Sequence, residues 1–360
     1  MNERQITTLV FDWGNTIMVD DGQFSGKMKD WPTVQAIEGT YETLKLLSAE
    51  YQLVLASNAE DSSTQDISSA LEKVNLDSFF HQIFTHNELS AKKPDLLFYQ
   101  NLVKKINQPV ERIVMVGDDY IKDIVGAKLA GWKAIWFNPS GLPSNGHLPL
   151  QDMEIRNFNE IPDVLSHPFL PDVQTCLGWY MDSGATHTLL SHVHNVAAIA
   201  YQIGLWLEQS GMVVSPLLAH RGGLTHDLSK LQEQSEKNHA VLAAEFLESK
   251  KQFKLAEIAR RHLIGDLISD RTRPQTWEEK IANYADKLSE GNMIVSIDER
   301  LAALQRRYPD FASQIKKNTP YVKALEDEII TALGTTPVEL IADLKKALFN
   351  KNSHSSKGIL

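Results

Sequence analysis

The chain has 360 residues, of which 42% are hydrophobic and 23% are charged, and this composition excludes a disordered or fibrous protein. Its single cysteine, Cys176, excludes a disulfide scaffold and a cysteine-rich zinc ribbon. The net charge of -10 is uneven: residues 1–166 hold 14 Lys+Arg against 23 Asp+Glu, whereas residues 167–360 hold 22 against 23. An acidic first half argues against long nucleic acid as the main ligand, but it is compatible with a small phosphorylated molecule held by metal ions.

The length predicts two domains, because a domain commonly holds about 100 to 200 residues. No stretch approaches the roughly 20 apolar residues of a membrane helix, and the N-terminal sequence MNERQITTLVFDWG lacks the apolar core of a signal peptide. We therefore expect a cytoplasmic protein that does not associate with a membrane. The sequence leaves the oligomeric state open.

The two halves differ in the rhythm of their apolar residues. Short apolar runs alternate with helical stretches in the first half, which predicts an α/β domain with a Rossmann-like parallel sheet. The predicted strands are TTLVFDW, YQLVLASN, HQIFTHN, RIVMVGDD and KAIWFNP. The second half has long helical segments and no convincing strands, which predicts an all-α domain. The predicted boundaries are 1–166 for the α/β domain, 167–184 for a linker, 185–310 for the helical domain and 311–360 for C-terminal helices and a frayed tail.

Polar side chains follow the predicted strands of the first half. Ligands of open α/β sheets bind at this edge, so we expect these side chains to lie close together. Carboxylates, a lysine and a hydroxyl can hold Mg²⁺ and a phosphoryl group there, because the metal offsets the repulsion between the negative charges. The residues concerned are Asp12, Thr16, Ser57, Asn58, Lys93, Asp95, Asp118, Asp119 and Asp123.

This arrangement resembles the haloacid dehalogenase superfamily, subfamily I, across about residues 5–165. The matching motifs are Asp12-Trp13-Gly14-Asn15-Thr16, Ser57, Lys93 and the GDxxxxD pair Asp118 and Asp123. The resemblance implies Asp12 as the nucleophile, with Ser57 and Lys93 binding the phosphate. It also implies that Asp118 and Asp123 hold Mg²⁺ together with Asp12. The implied chemistry is covalent catalysis, in which an aspartyl-phosphate splits one displacement into two.

One position departs from the family pattern. Family phosphatases have an aspartate two residues after the nucleophile as general acid and base, whereas this chain has Gly14. General acid–base catalysis contributes roughly 10²–10⁴ in rate, so we expect an ordinary sugar phosphate to be a poor substrate. Three interpretations stay open: a slow phosphatase restricted to good leaving groups, a carbon-centred hydrolase of the dehalogenase or phosphonatase type, and a domain that only binds.

The spacing of the motifs leaves little room for a lid domain. Asp12 and Ser57 are 45 residues apart, and Ser57 and Lys93 are 36 apart, each little more than one strand-helix-strand unit needs. We therefore expect a capless α/β domain whose site is open or covered by the helical half.

Histidines concentrate in the second half, where nine of the twelve lie. His226 and Asp227 are adjacent, and consecutive helical side chains point about 100° apart. Two such neighbours reach one metal ion only from an irregular or helix-terminal position, which Gly222 and Gly223 can supply.

This half resembles the HD superfamily of metal-dependent phosphohydrolases, across about residues 185–300. The family's H-x-x-x-V-A helix is matched by His192 before Val196 and Ala197, its doublet by His226-Asp227, and its last helix by Glu279-Lys280-Ile281 and Ala285-Asp286-Lys287. The resemblance implies a metal site formed by His192, His226, Asp227 and Asp286. His187 and His194 compete with His192, but neither keeps the four-residue step to Val196.

Two further histidines, His239 and His262, lie between the doublet and the last aspartate, where family members with two metals add ligands. They predict a second ion, with Asp227 as the bridge. Mixed histidine and carboxylate ligation suits Fe, Mn or Zn better than Mg²⁺. Lys230 is a candidate phosphate anchor beside Asp227, and Arg260 and Arg261 are weaker candidates.

The sequence thus predicts a two-domain phosphohydrolase that acts on a nucleotide or another small phosphoester. The helical half is expected to carry the main activity, because its ligand set is complete whereas the α/β set lacks one member. Two alternatives remain: a sensor that binds a nucleotide or phosphometabolite and regulates a partner, and a pair of sequential enzymes in which the second site uses the product of the first.

Overall fold

A computed structural model describes residues 6–144, 148–232 and 237–349. These residues form two compact units. The first comprises the residues up to 142 together with 150–169, and the second comprises the described residues of 143–149 together with those from 170 onward. The predicted frayed tail, NKNSHSSKGIL, lies outside the described residues.

A parallel six-stranded sheet is the centre of the first unit. Its strands are β1 (Thr8–Phe11), β2 (Gln52–Ser57), β3 (Gln82–Thr85), β4 (Ile113–Gly117), β5 (Lys133–Phe137) and β6 (Met153–Ile155). Their order is β3-β2-β1-β4-β5-β6, with every neighbouring pair parallel. The predicted parallel α/β fold is confirmed, and β6 is an edge strand that the sequence did not predict.

Both faces of the sheet are apolar, as expected for parallel strands that are covered by helices. Alternate residues of β1 show this, because Leu9 and Phe11 belong to one buried cluster and Val10 belongs to another. The helices of this unit are α1 (Thr40–Ser48), α2 (Thr64–Glu72), α3 (His86–Leu89), α4 (Leu96–Ile106), a π-helical turn (Tyr120–Val125) that continues into α5 (Gly126–Leu129), and α6 (Ile161–Ser166).

The strand order reverses between β1 and β4, which are neighbours in the middle of the sheet. Open α/β sheets bind ligands outside the carboxyl ends of the strands at such a switch point. Residues 13–39 join β1 to α1 and contain one 3₁₀ turn, Met28–Asp30, but no inserted domain. The described part of this unit is therefore capless, as predicted.

The second unit is mostly helical. Its helices are α7 (Val173–Asp182), α8 (His187–Gln209), α9 (Pro216–Thr225), α10 (His239–Ser249), α11 (Phe253–Arg260), α12 (Trp277–Lys287), α13 (Ile297–Arg307), α14 (Ala312–Leu333) and α15 (Pro337–Phe349). A short antiparallel ladder of β7 (Ser289–Glu290) and β8 (Met293–Ile294) follows α12. The prediction of a domain without strands is corrected by this ladder.

The predicted linker and the predicted C-terminal segment both contribute helices to the core of the second unit. Residues 167–184 contain α7, whose Cys176 and Tyr180 are fully buried in a core of the second unit, so this stretch is more than a linker. Residues 311–360 include α14 and α15, whose Ile329 and Leu344 share a buried cluster with Ile281 of α12. The C-terminal helices therefore belong to the core of the second unit.

Two glycines let α9 approach its neighbours closely. A Cβ at Gly223 would lie 2.9 Å from the Cα of Ala197 in α8, and one at Gly222 would lie 2.7 Å from Cδ1 of Ile258 in α11. Their role is close packing rather than an irregular backbone. The expectation that His226 stands at a helix end is met, because α9 ends at Thr225.

No helix of the described residues is long and apolar enough to cross a membrane.

Candidate functional sites

The carboxyl ends of β1 and β4 bring three carboxylates together. Oxygen atoms of Asp12, Asp118 and Asp123 all lie within 4.8 Å of one another. Asp12 follows β1 and Asp118 follows β4, whereas Asp123 reaches back from the π-helical turn. Gly117 makes room for this return, because a Cβ at that position would lie 2.3 Å from Cγ of Asp123.

Lys93 lies among these carboxylates and partly neutralises them. Its Nζ donates to Oδ1 of Asp12 at 2.5 Å and to Oδ1 of Asp123 at 2.7 Å, and its side chain is 1% exposed. Burial lowers the pKa of Lys93, but the charges of Asp12 and Asp123 outweigh burial and hold that pKa above its ordinary value. Lys93 is therefore a fixed cation at the point where a phosphate would meet Asp12.

The remaining negative charge favours a bound cation. Burial and the charge of Asp12 raise the pKa of Asp118 to about 6, although a hydrogen bond from Thr16 Oγ1 at 3.0 Å opposes the shift. Burial also raises the pKa of Asp123, against the opposing charge of Lys93. Crowded carboxylates resist ionisation together, and a hard divalent ion with oxygen ligands relieves that repulsion. The donor set thus fits Mg²⁺.

Asn58 holds the backbone of Lys93 in place. Its Nδ2 donates to the carbonyl oxygen of Lys93 at 2.8 Å, and its Oδ1 accepts from the backbone N–H of Lys93 at 2.8 Å. Ser57 ends β2 beside it, and Ser57 Oγ accepts from the backbone N–H of Ala59 at 3.1 Å. The sequence named Asn58 as a strand-end residue but did not predict this positioning role.

The carboxylates open into a cavity of about 460 Å³. The loop between β1 and α1 forms part of its wall. Its lining residues are Asp12, Trp13, Gly14, Asn15, Asp20, Phe24, Gly26, Met28, Trp31, Ser57, Asn58, Ala59, Asp61, Ser62, Lys93, Asp118, Asp119, Lys122 and Asp123. A cavity of this size accommodates a small phosphorylated molecule.

A second cluster forms in the helical unit where the ends of α9 and α12 meet α8. His192 lies on α8, His226 and Asp227 follow α9, and Asp286 lies on α12. Nε2 of His192 is 3.1 Å from Oδ1 of Asp286, and Nε2 of His226 is 3.5 Å from Oδ2 of Asp227. One donor atom each from His192, His226 and Asp286 fall within 4.8 Å of one another.

The two oxygens of Asp227 face different histidines. Oδ2 lies on the side of His226, whereas Oδ1 is 3.2 Å from Nε2 of His239 and 3.3 Å from Nε2 of His262. The Nε2 atoms of His239 and His262 are 3.2 Å apart. The carboxylate thus separates two groups of nitrogen donors, the arrangement that a bridging ligand between two ions requires.

Hydrogen bonds on the outer side of two rings set their tautomers. Nδ1 of His226 lies 2.8 Å from the carbonyl oxygen of Gly223, and Nδ1 of His262 lies 2.6 Å from that of Ala259. Carbonyl oxygens only accept, so each Nδ1 carries a hydrogen and donates it. The neutral ring then presents the lone pair of Nε2 to the cluster, as a metal ligand must.

Ser289 lies on the outer side of the His192 ring. Ser289 Oγ donates to the carbonyl oxygen of Gly291 at 3.2 Å and accepts from Nδ2 of Asn195 at 2.8 Å. Its remaining lone pair faces Nδ1 of His192 at 3.3 Å. If Nε2 of His192 binds a metal ion, Nδ1 carries the hydrogen and can donate it to this lone pair. No local sequence pattern predicts this role of Ser289, because the contact spans 97 positions.

Burial and charge support the same set of donors. Nε2 of His226 is buried and has no hydrogen-bond partner among the described residues. Burial lowers the pKa of His262 to about 4, which keeps the ring neutral. Burial would raise the pKa of Asp227, but the neighbouring His226 outweighs it, so Asp227 stays ionised. Burial would lower the pKa of His226, but Asp227 in turn raises it, so a metal ion would bind Nε2 of His226 in competition with a proton. Imidazole donors around an ionised carboxylate suit divalent transition ions.

The other predicted candidates differ in whether they reach the cluster. Lys230 reaches the cluster, with Nζ 3.5 Å from Oδ1 of Asp227, and its side chain is 38% exposed. Arg260 and Arg261 instead form ion pairs with Glu257. His187 and His194, the rivals of His192, are absent from the donor clusters found in the described residues, and His187 lies at the start of α8.

One of these two donor clusters lies in the α/β unit and the other lies in the helical unit. Residues 14–137 match the haloacid dehalogenase-like hydrolase family, and residues 189–291 match the HD domain family. The chain belongs to the haloacid dehalogenase-like hydrolases through its first unit and carries an HD domain in its second. Both resemblances predicted from the motifs are confirmed.

Several known proteins are similar to part of the chain. It is 30% identical over 142 residues to the pyrimidine 5'-nucleotidase PynA of Streptococcus pneumoniae, a match that covers 39% of this chain and 58% of that protein. It is also 30% identical over 158 residues to an uncharacterized protein of Methanocaldococcus jannaschii, which covers 40% of this chain and 89% of that protein.

Among solved structures, an uncharacterized protein from Listeria monocytogenes serotype 4b is 26% identical, with a TM-score of 0.41, over 45% of this chain and 97% of that chain. The chain spans 58% of the length of the nucleotidase named above, so the relatives' substrates do not transfer directly.

Proposed function

We propose that this protein is a metal-dependent phosphohydrolase of a nucleotide or another small phosphoester, with its main hydrolytic site in the helical unit. The observation that carries the proposal is the Asp227 carboxylate, whose two oxygens face two separate groups of histidines. The first unit is proposed as a second phosphohydrolase site of specialised activity. The match to a pyrimidine 5'-nucleotidase supports a small phosphoester as the substrate class.

In the helical unit, His192, His226, Asp227 and Asp286 would hold one divalent ion. His239 and His262 would hold a second ion, with Asp227 between the two. The chemistry of these donors suits Fe, Mn or Zn, and such ions supply an activated water and neutralise the charge of a phosphoester. Lys230 would bind a phosphate oxygen, because its ammonium is partly exposed beside Asp227.

In the first unit, Asp12, Asp118 and Asp123 would hold Mg²⁺, which supplies charge neutralisation for the phosphoryl group. An oxygen of Asp12 attacks phosphorus and forms an aspartyl-phosphate, while Lys93 stabilises the developing negative charge. Ser57 would bind a phosphate oxygen at the end of β2. Gly14 leaves this site without the usual acid at that position.

The test uses the full chain and one inactivating change per site. Asp12→Asn would remove the nucleophile, and His226→Ala with Asp227→Ala would remove two central ligands. His187→Ala is the matched control, since it removes a histidine of the same helical unit that lies outside the cluster. Metal content would be measured by elemental analysis, and hydrolysis with a panel of nucleoside monophosphates, sugar phosphates and aryl phosphates.

We expect the double variant to lose its transition metal and the hydrolysis that depends on it. Asp12→Asn should keep that metal and lose only the Mg²⁺-dependent hydrolysis of the first unit, and the control should keep both activities. Unchanged metal and hydrolysis in the double variant would reject the helical site. Ligand binding without turnover on either site would favour the alternative of a regulatory nucleotide-binding protein.

A further inference from the structure

The position left vacant by Gly14 has a carboxylate beside it. A Cβ built on Gly14 would lie 3.3 Å from Oδ2 of Asp20 and 3.5 Å from Cβ of Asp20. Gly14 and Asp20 line the same cavity as Asp12 and Lys93. The side chain of Asp20 therefore enters the space that a side chain at position 14 would enter.

The backbone holds Asp20 at this place. The backbone N–H groups of Ile17 and Met18 both donate to the carbonyl oxygen of Trp13, at 3.0 and 2.9 Å. Asn15 has a φ of 55°, a left-handed conformation that asparagine tolerates well, and its Oδ1 accepts from the backbone N–H of Asp20 at 2.9 Å. The chain thus turns back over itself, and Asp20 returns to a point beside position 14.

The side chain of Asp20 is available for proton transfer. Among the described residues, no salt bridge or hydrogen bond is found for its carboxylate, whereas Asp66 in the same unit pairs with Lys27 at 2.8 Å. Asp20 is exposed to the solvent that fills the cavity. A carboxyl group in this setting can give a proton to a leaving group and accept one from water.

We propose that Asp20 is the general acid and base of the first site, in place of a residue at position 14. The proposal rests on the proposed phosphohydrolase function of that unit. It changes one expectation from the sequence, since a site with Asp20 in this role also hydrolyses alkyl phosphates.

Hydrolysis then takes two steps. In the first, an Asp12 oxygen bonds to phosphorus, the bond from phosphorus to the leaving oxygen breaks, and the Asp20 carboxyl gives its proton to that oxygen to form an alcohol. In the second, the Asp20 carboxylate takes a proton from water, whose oxygen bonds to phosphorus as the bond to Asp12 breaks. Phosphate leaves, and both carboxyl groups return to their starting states.

The experiment compares Asp20→Asn with wild type in the full chain, with Mg²⁺ and 4-nitrophenyl phosphate. 4-Nitrophenolate leaves without a proton, so the first step should keep its rate, while the second step loses its base. We expect a burst of one equivalent of 4-nitrophenol, a steady-state rate reduced by roughly 10²–10⁴, and accumulation of phosphorylated Asp12. With uridine 5'-monophosphate, whose leaving group needs a proton, the burst itself should disappear.

Two further variants sharpen the result. Asp21→Asn removes the adjacent carboxylate, which does not line the cavity, and should behave as wild type. Gly14→Asp combined with Asp20→Asn should restore the steady-state rate, because it returns a carboxylate to the same space. Thermal unfolding of each variant checks that the fold is retained.

Asp20→Asn with wild-type kinetics, in a protein that Asp12→Asn inactivates, would overturn the role of Asp20 and leave the phosphohydrolase function intact. A wild-type protein without any Asp12-dependent turnover of 4-nitrophenyl phosphate would reject the proposed function of this unit, and the role of Asp20 with it.

Discussion

Ser289 offers a sharp test of the helical metal site, because it touches a proposed ligand without being one. Its Oγ accepts from Nδ2 of Asn195 at 2.8 Å and lies 3.3 Å from Nδ1 of His192, from which it can accept when Nε2 binds a metal ion. Ser289→Ala removes this acceptor. With a metal bound at Nε2, the Nδ1–H of His192 would then have no partner. Without metal, the ring can change tautomer and donate from Nε2 to Asp286, 3.1 Å away, so the cost falls on the metal-bound state.

The size of the effect follows from these contacts. A buried donor left without a partner costs about 1–3 kcal/mol, and Asn195 adds little, because its amide also reaches the carbonyl oxygen of Met293 at 3.3 Å. The side chain of His192 is 13% exposed, so water replaces part of the lost bond and the cost falls at the lower end. Each 1.4 kcal/mol or so is tenfold in affinity, so we expect metal binding to weaken about tenfold, within the range known for such supporting partners.

The assay is competition with a chromophoric chelator for Zn²⁺ or Mn²⁺, on protein stripped of metal. Ser296→Ala is the control, because Ser296 caps α13 through a hydrogen bond to the N–H of Glu299 and does not touch the cluster. It should cost about 1 kcal/mol of folding stability and leave metal affinity unchanged. A Ser289→Ala protein that binds metal within twofold of wild type would refute the reasoning about the His192 tautomer.

Two other changes test the same unit. His239→Ala with His262→Ala should lower the metal content from two ions per chain to one, measured by elemental analysis after dialysis, and an unchanged ratio would contradict the second site. Gly223→Ala should destabilise the fold by about 1–3 kcal/mol in denaturant unfolding, because the new methyl group would meet the α8 backbone at 2.9 Å. Gly178→Ala in α7 is its matched control: nothing lies within 4 Å of that Cβ, so stability should stay equal or rise, and equal losses for the two variants would show that close packing is not the reason for Gly223.

Most strands of the first unit could be predicted from the sequence, because each is marked by residues that are adjacent in the chain. Buried parallel strands appear as continuous apolar runs, and each run ends in the polar residue that the sheet edge displays, as Val10-Phe11-Asp12 shows. β6 escaped prediction because Met153–Ile155 has three residues with a glutamate at its centre. That strand exists because its backbone pairs with β5, which no window of sequence around it can reveal.

The residues of the candidate sites also fall into two groups, those that local motifs predict and those that only the folded structure reveals. His192, His226-Asp227 and Asp286 could be predicted because they stand in the motifs that resemble the HD superfamily, and the structure brings these side chains together. The roles of Ser289 and Asp20 depend on contacts made after folding. Asp20 reaches position 14 through a turn in which Asn15 has a left-handed backbone conformation. An asparagine or an aspartate in a loop does not by itself predict such a turn.

Cys176 allows the status of residues 167–184 to be measured directly. It is the single cysteine of the chain and is fully buried on α7, and burial raises its pKa to about 12. At pH 8 the thiolate fraction is then on the order of 10³-fold smaller than for an ordinary thiol of pKa about 8.5.

Reaction with a disulfide reagent such as 5,5'-dithiobis(2-nitrobenzoate) should therefore be slower by at least that factor in native protein than in guanidinium, where one equivalent should react at once. Because burial also blocks access, the native rate reports the opening of α7 from its core. Labelling within minutes under native conditions would mean that α7 separates readily and that this stretch behaves as the linker its sequence suggested.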